Sequence, residues 1–185
     1  MNRAELEVAI VAATEVIRQR EVLVIGSQAI LGTFGEAELP ERATMSNEAD
    51  IAALHDDASE TLATLIDAEL GEWSDFDRDH GFYVQGVSVR TAYLPDRWEA
   101  RIVRVEPREH PDSVGLCLER HDLCAAKLAR LDQKDLEFVQ SLIDAGLVTP
   151  AVVRERITLI TDDRFEPERK AAAIRWIRAR DRTPD

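Results

Sequence analysis

Val22-Leu23-Val24-Ile25-Gly26-Ser27, followed a short way on by Glu48-Ala49-Asp50-Ile51, are the two stretches whose pairing decides how this chain is read. The first is a β-branched run, predicted as a strand over Glu21 to Ile25, that stops at a Gly-Ser turn. The second sets two carboxylates at alternate positions. Residues two apart on a strand face the same side, so Glu48 and Asp50 project toward one point. Two hard oxygen ligands so placed suit Mg²⁺, which takes one or two protein carboxylates and completes its shell with phosphate and water. A helix predicted over Gln28 to Phe34 would turn its first amides and its positive dipole end toward the same region, and Gly26 leaves room for a phosphate to approach. Each element also has a plainer interpretation: Gly-Ser as an ordinary turn, and the acid pair as a solvated strand end. The other common phosphate loops are excluded, because Gly26, Gly32 and Gly35 lack the dinucleotide spacing and no Gly-Lys-Ser/Thr follows.

Outward from these strands, Leu6, Ile10, Ala13 and Ile17 recur at helical spacing and predict an amphipathic helix over Ala4 to Gln19. Gly32 to Ser46 lacks a period and is expected to be a loop passing over the site. Glu48 to Leu54 suits a covered central strand, and Asp56 to Leu70 returns to helical spacing. Gly71 to His80 is turn-like. Phe82 to Val89, Arg101 to Val105 and Val114 to Leu118 are expected strands, separated by turns at Pro95 and around Pro107 and Pro111. From Asp122, a plausible N-cap, the chain turns helical as far as Gly146, and Val152 to Ile160 and Pro167 to Arg180 continue the pattern. The expected fold is α/β: a small mixed sheet flanked by helices over residues 1–120, with a helical part over 121–185 packed on it as one compact unit.

With 185 residues the chain can bury one good core and is short for two. Its 45% hydrophobic residues, with only 8 Gly and 7 Pro, mark it as globular. No apolar run approaches the roughly 20 residues that cross a bilayer, and no signal stretch is seen, so a cytoplasmic protein without membrane partners is expected. Cys117 and Cys124 are too few and too ill-spaced for a disulfide framework and read as small buried hydrophobes. The four histidines show no ligand spacing. A net charge of -13 argues against a protein that grips nucleic acid with its whole surface. An RNA substrate would need a local basic patch, for which Arg154, Arg156, Arg175, Arg178 and Arg180 are candidates if they are not merely a solvated helix face.

The third chemical element is Leu123-Cys124-Ala125-Ala126-Lys127-Leu128-Ala129-Arg130, followed by Lys134-Asp135-Leu136-Glu137-Phe138. One continuous helix would place Lys127 and Lys134 two turns apart on one face with Arg130 beside them. Lys127 sits among apolar residues, an unusual setting for an idle lysine, which favours a phosphate contact over a solvated face.

Gly26-Ser27-Gln28-Ala29-Ile30, Glu48-Ala49-Asp50-Ile51, His121-Asp122-Leu123 with Lys127-Leu128, and Lys134-Asp135-Leu136-Glu137-Phe138 together resemble a DUF-type nucleotidyltransferase family. That family is similar to the AbiEii and MenT toxins of bacterial toxin-antitoxin systems, and the resemblance spans about Glu21 to Leu147. It implies that Gly26 and Ser27 bind the triphosphate of an NTP, that Glu48 and Asp50 hold Mg²⁺, that Lys127 contacts the phosphates, and that Asp135 orients this lysine or assists the acceptor nucleophile. Asp50, Lys127 and Asp135 would then be the catalytic set. The implied reaction moves a nucleoside monophosphate to an acceptor hydroxyl, which the toxin relatives make the tRNA 3′ end with a cognate antitoxin as partner, while the acidic surface also admits a protein or small-molecule acceptor. Tyr93-Leu94-Pro95 with Trp98 and Arg101 is also family-like and reads as structural. Two departures stand out. Where a third carboxylate is expected, Phe82 to Val89 offers only Gln85, with Asp79 and Glu99 badly spaced; and a basic residue is displaced, with Asp132 near its place and Arg130 nearby. They keep open a catalytically degenerate relative that binds a nucleotide or a partner protein without transfer.

Overall fold

In the computed structural model, which describes residues 1–181, the run around Val22 forms strand β1 (Glu21–Val24) at the centre of a five-stranded mixed sheet. Its neighbours are β2 (Glu48–Ala53), antiparallel, and β5 (Val114–Cys117), parallel. β3 (Tyr83–Gly86) lies parallel beside β2 at one edge, and β4 (Val103–Val105) lies antiparallel beside β5 at the other. The α/β fold is as expected, although all five strands are shorter than the sequence suggests; β1 stops at Val24 rather than Ile25 and β2 at Ala53 rather than Leu54. Ser88 and Arg97 open 3₁₀ turns at Val89–Thr91 and Trp98–Arg101, which cut short the strands predicted to Val89 and from Arg101. The predicted strand Val114 to Leu118 ends at Cys117.

The register sorts side chains between the two faces of the sheet. Val22 pairs with Ala53 and Gly115, and Val24 pairs with Ile51 and Cys117, so these residues share one face with Ala49 and Val84. Helix α1 (Arg3–Ile17) covers that face with Leu6, Ile10, Ala13 and Ile17, the residues its periodicity singled out. Ile10 lies so close to β5 that a Cβ on Gly115 would fall 2.3 Å from its Cδ1. Helix α3 (Thr61–Leu70) packs equally tightly on β3, where a Cβ on Gly86 would meet the Ala63 carbonyl oxygen at 1.9 Å. The opposite face of β2 and β3 carries Glu48, Asp50, Tyr83 and Gln85. The two acids are thus segregated from the main apolar layer by strand alternation alone.

Several helices differ from expectation, each for a local reason. Ser27–Gly32 is a 3₁₀ stretch, not an α-helix over Gln28 to Phe34. The expected loop to Ser46 contains a second 3₁₀ turn, Glu36–Glu38, and a single α-turn, α2 (Glu41–Thr44). α3 starts at Thr61, not Asp56; the Asp56 carboxylate stays outside and accepts hydrogen bonds from the Leu62 and Ala63 amides, both at 2.9 Å. The turn-like segment before His80 holds α4 (Asp75–His80), whose N-cap Ser74 accepts from the Asp77 amide.

The stretch from Asp122 to Gly146 is two helices, α5 (Arg120–Arg130) and α6 (Gln133–Asp144). Leu131 ends α5 in a left-handed conformation, φ 61°, and Asp132 starts α6 with extended backbone. The N-cap of α5 is Glu119, which accepts from the His121 and Asp122 amides, and not Asp122. Every residue of α5 from His121 to Ala129 is buried, because α6, α7 (Pro150–Thr158) and α8 (Pro167–Arg178) enclose it. The last four residues of the expected helical part lie outside the described residues. One contiguous set of buried apolar side chains runs from Leu6 through the sheet to Ile177. Among the described residues no helix is long and apolar enough to cross a membrane. Cys117 and Cys124 are fully buried, and burial pushes both thiols up, Cys117 to about 12.

The arginines of the C-terminal helices do not gather into one free patch. Arg156 turns inward to Asp122, Arg154 pairs with Asp181, and Arg180 stacks on Trp176, its guanidinium carbon 3.4 Å from the ring centroid. Arg101 reaches Asp122 at 2.7 Å, which gives the Tyr93 to Arg101 segment the structural anchor expected of it. Asp122 is completely buried and its carboxyl lies above the ordinary range because burial outweighs the attraction of the two guanidinium groups.

Candidate functional site

Strand alternation brings Glu48 and Asp50 to the same side of β2, and the β2–β3 register sets a residue beside each: Tyr83 next to Glu48 and Gln85 next to Asp50. The Tyr83 hydroxyl donates to Glu48 Oε2 at 3.1 Å. Burial and the adjacent Glu48 push the Tyr83 phenol up to about 12, so it remains a donor at neutral pH. Both acids are half-buried. Burial first, then repulsion from Glu48, lifts the Asp50 carboxyl to about 6, against the opposing pull of Lys127. A half-buried acid next to a second acid is the arrangement that a bound cation relieves.

Gly26 is needed here for a reason other than phosphate approach. A Cβ at this position would lie 1.7 Å from Asp50 Oδ2 and 2.7 Å from Asp50 Cβ, so the Asp50 side chain occupies the space that the glycine leaves. The Ile25 amide donates to the Asp50 carbonyl oxygen at 3.1 Å and locks the two strands at this level. Ser27 follows immediately and lines the cleft in front of the carboxylates.

The other wall comes from α5 and α6. The break at Leu131 folds the start of α6 back against the last turn of α5. Asp135, in the first turn of α6, therefore meets residues that a continuous helix would have carried away from it. Lys127 Nζ donates to Asp135 Oδ1 at 2.9 Å, and Arg130 donates through Nε to Oδ2 at 2.8 Å and through Nη2 to Oδ1 at 3.0 Å. Asp135 is 1% exposed. Burial would raise its carboxyl, but Arg130 and Lys127 hold it below the usual carboxylate range. Burial depresses Lys127, and the Asp135 carboxylate opposes that fall; the ammonium also lies 4.7 Å from the centre of the Phe138 ring. Two cations thus share one acid, and a net positive charge faces the cleft.

A cleft of about 290 Å³ separates the walls, lined by Ser27, Glu48, Asp50 and Gln85 from the sheet side and by Lys127, Arg130, Lys134, Asp135 and Phe138 from the helices. Arg42, Met45 and Ser46 close its third side, and Arg42 pairs with Glu137 of α6. The segment before β2 therefore does border the site. A recess of about 30 Å³ behind it touches Gly26, Asp50, Lys127 and Arg130. Glu48, Asp50, Ser27, Lys127 and Asp135 are brought together, and Gly26 supports them. The two substitute acids are not: neither Asp79 nor Glu99 lines the cleft. Lys134 shares it with Lys127, although the helix break removes them from a common helical stripe. Sequence reasoning placed Arg130 only as a neighbour and missed Tyr83 and Arg42; the alternation of Tyr83 with Gln85 on a strand paired to Glu48 and Asp50 was the available signal for Tyr83.

Elsewhere, His121 is structural. The Thr149 amide donates to its Nε2 at 3.2 Å, so the proton resides on Nδ1, which donates to Glu119 at 2.7 Å. Among the described residues no three His, Cys, Asp or Glu side chains converge as a metal cluster, so the acid pair is the relevant donor set. No curated protein and no solved structure matched this chain. Over residues 5–181, however, it matches the family described as a nucleotidyltransferase of unknown function, DUF6036, and the chain belongs to that family.

Proposed function

We propose that the protein is a Mg²⁺-dependent nucleotidyltransferase that moves a nucleoside monophosphate from an NTP to an acceptor hydroxyl. The observation that carries this is the meeting, across one cleft, of an acid pair on β2 with the Lys127 and Arg130 cations of α5. The donor set fits a hard cation: Asp50 is an acid under strain from burial and from Glu48, in the space that Gly26 leaves open. Glu48 and Asp50 would hold Mg²⁺, which when bound neutralises phosphate charge. Ser27 lies where a hydroxyl can donate to a phosphate oxygen, and Lys127 and Arg130 bind and orient the triphosphate. The acceptor oxygen forms a bond to the α-phosphorus, the bond from that phosphorus to the bridging oxygen breaks, and pyrophosphate leaves with the electron pair. The acceptor proton passes to solvent or to a carboxylate of β2. Asp135, both of whose oxygens are engaged by Lys127 and Arg130, acts as a positioning residue rather than as the base.

We extend the proposal to residues 1–120 as the nucleotidyltransferase α/β core and 121–185 as a helical part packed on it, which supplies Lys127, Arg130 and Asp135 to the site. The resemblance to AbiEii and MenT toxins supports a toxin of a toxin-antitoxin pair acting on the tRNA 3′ end, in the cytoplasm, with a cognate antitoxin. Incubation with Mg²⁺, each α-labelled NTP and either tRNA or lysate tests it: label on RNA that Asp50→Ala loses is the expected result. Label on protein instead would exchange the acceptor, and no label with any NTP would remove the transferase assignment. One observation favours a second, non-catalytic function: the position beside Asp50 on β3 is the amide Gln85, not an acid. A degenerate binder would take up NTP in calorimetry without releasing pyrophosphate.

A further inference from the structure

We propose that the site engages a single divalent cation per bound nucleotide, with Lys127 and Arg130 supplying the positive charge that a second cation would otherwise bring. This rests on the nucleotidyltransferase chemistry proposed above and deepens it.

Three observations lead there. The first is register. In the parallel β2–β3 pair, Tyr83 is set beside Glu48 and Gln85 beside Asp50, so these are the same-face neighbours able to extend the acid pair into a larger ligand set. Tyr83 already donates to Glu48, and Gln85 brings a neutral amide into the cleft. Two carboxylates give one cation its protein ligands, and this face of β2 and β3 offers no further acid to hold another.

The second is the state of Asp135, the remaining acid of the cleft. It is buried, accepts one hydrogen bond from Lys127 and two from Arg130, and so is committed to those cations. Freeing it as a metal ligand would leave Lys127 buried without its partner.

The third is the excess of positive charge on that wall. Lys127 and Arg130 face one carboxylate, and Lys134, exposed at the mouth, forms no ion pair among the described residues. Lys127 and Arg130 line both the cleft and the recess behind Asp50. A second divalent ion in that space would be repelled by fixed cations, whereas the triphosphate is attracted by them.

The test uses the full chain with Mn²⁺ and the α,β-methylene analogues of the four NTPs, which bind without reacting. Electron paramagnetic resonance counts Mn²⁺ per bound nucleotide and reports whether the ions are spin-coupled. The expected result is one uncoupled Mn²⁺ per nucleotide, with binding of the Mn²⁺ complex at least roughly tenfold weaker in Asp50→Asn, since losing a ligand costs no less than losing its outer-shell support. In Gln85→Glu the count should rise to two, with a coupled spectrum. Two coupled ions in the unaltered protein would overturn the inference and leave the transferase assignment intact. A count of one in Gln85→Glu, with circular dichroism unchanged, would remove Gln85 as the cause and overturn it as stated. Nucleotide binding that is equal in Mn²⁺ and in EDTA, and unaffected by Asp50→Asn, would remove the cation from the transferase assignment and the inference with it.

Discussion

Asp50 is the carboxylate of the cleft whose proton is held most tightly by its surroundings, and those surroundings make two predictions. Its folded-state value of about 6 lies above the ordinary 3.8, so the ionised form is disfavoured in the fold. The sign follows: the folded state binds the proton more tightly than the unfolded chain, so this group costs stability above about pH 6, and the cost is relieved as pH falls through that value. In EDTA, Asp50→Asn should therefore raise the melting temperature at pH 7.5, on the order of 1–2 kcal/mol or roughly 2–6 °C for a chain of this size. The difference should vanish by about pH 4. Scanning calorimetry across that range is the check, and equal melting of both proteins at pH 7.5 would refute the strained-acid interpretation. Gly26→Ala tests the same carboxylate from its neighbour. The added methyl claims the space of Asp50 Oδ2, which can rotate away, and also lies 2.7 Å from Asp50 Cβ, which only the backbone can move, so Mn²⁺ affinity should fall roughly tenfold or more together with a loss of stability of about 1–3 kcal/mol. Titration of Mn²⁺ against the two proteins, with melting curves alongside, separates the site effect from a folding defect.

At the scale of elements, helix termini explain where the chain departs from its own periodicity. α1 opens on a capping box, in which Asn2 accepts from the Glu5 amide while Glu5 accepts from the Asn2 amide, and it closes on Arg18 in the left-handed region, φ 53°. Arg18 is exposed and carries its positive φ without the freedom of glycine. Arg18→Gly should thus stabilise the protein by about 0.5–1 kcal/mol, read as a higher urea midpoint at unchanged slope. A lower midpoint would show that the side chain contributes more than its backbone costs. Leu131, φ 61°, does the same at the end of α5, and there it shapes the candidate site: the turn it makes returns Asp135 to Lys127 and Arg130. Leu128, Leu131, Phe138 and Leu142 keep near-helical spacing across the polar stretch Asp132-Gln133-Lys134-Asp135, because both helices bury a face, so the period hides the change of axis.

Across the whole molecule, α5 joins the sheet-borne acids to the C-terminal helices, and its polar residues do the joining. Asp122 links α5 to Arg101 at 2.7 Å and to Arg156 of α7 at 3.1 Å, the latter as an ion pair without hydrogen-bond alignment. Both guanidinium groups keep about a fifth of their side-chain surface in water, so they can be partly solvated if the acid is lost. Asp122→Ala should destabilise the protein by about 3 kcal/mol, with α7 and α8 exchanging amide hydrogens faster than α1 and the sheet. Uniform protection would mean that the triad does not govern how the C-terminal helices are held. Net charge of -13 acts at this scale too. With Arg154, Arg156 and Arg180 engaged within the protein, an RNA acceptor would depend on the remaining exposed cations, Lys134 at the cleft and Arg175 and Arg178 on α8 among them, and its binding would weaken steeply with salt.

The acid pair, the Gly-Ser turn and the amphipathic first helix were legible in the amino-acid order because each is local: alternation sets a face of a strand, and a period near four sets a face of a helix. Those same rules put the α/β fold within reach, since a β-branched run preceded by a helix and followed by an alternating strand has few ways to bury its apolar side. What lay beyond them was everything that depends on two segments meeting. Gly26 looks like a phosphate glycine and is filled by Asp50; Asp122 looks like a helix cap and is a buried partner of two arginines; Lys127 and Lys134 look like one stripe and belong to two helices. Local sequence determines which way a side chain points from its own element. Only the packing of elements decides what it points at, because burial and Coulomb energy depend on neighbours that the chain brings from far along its length.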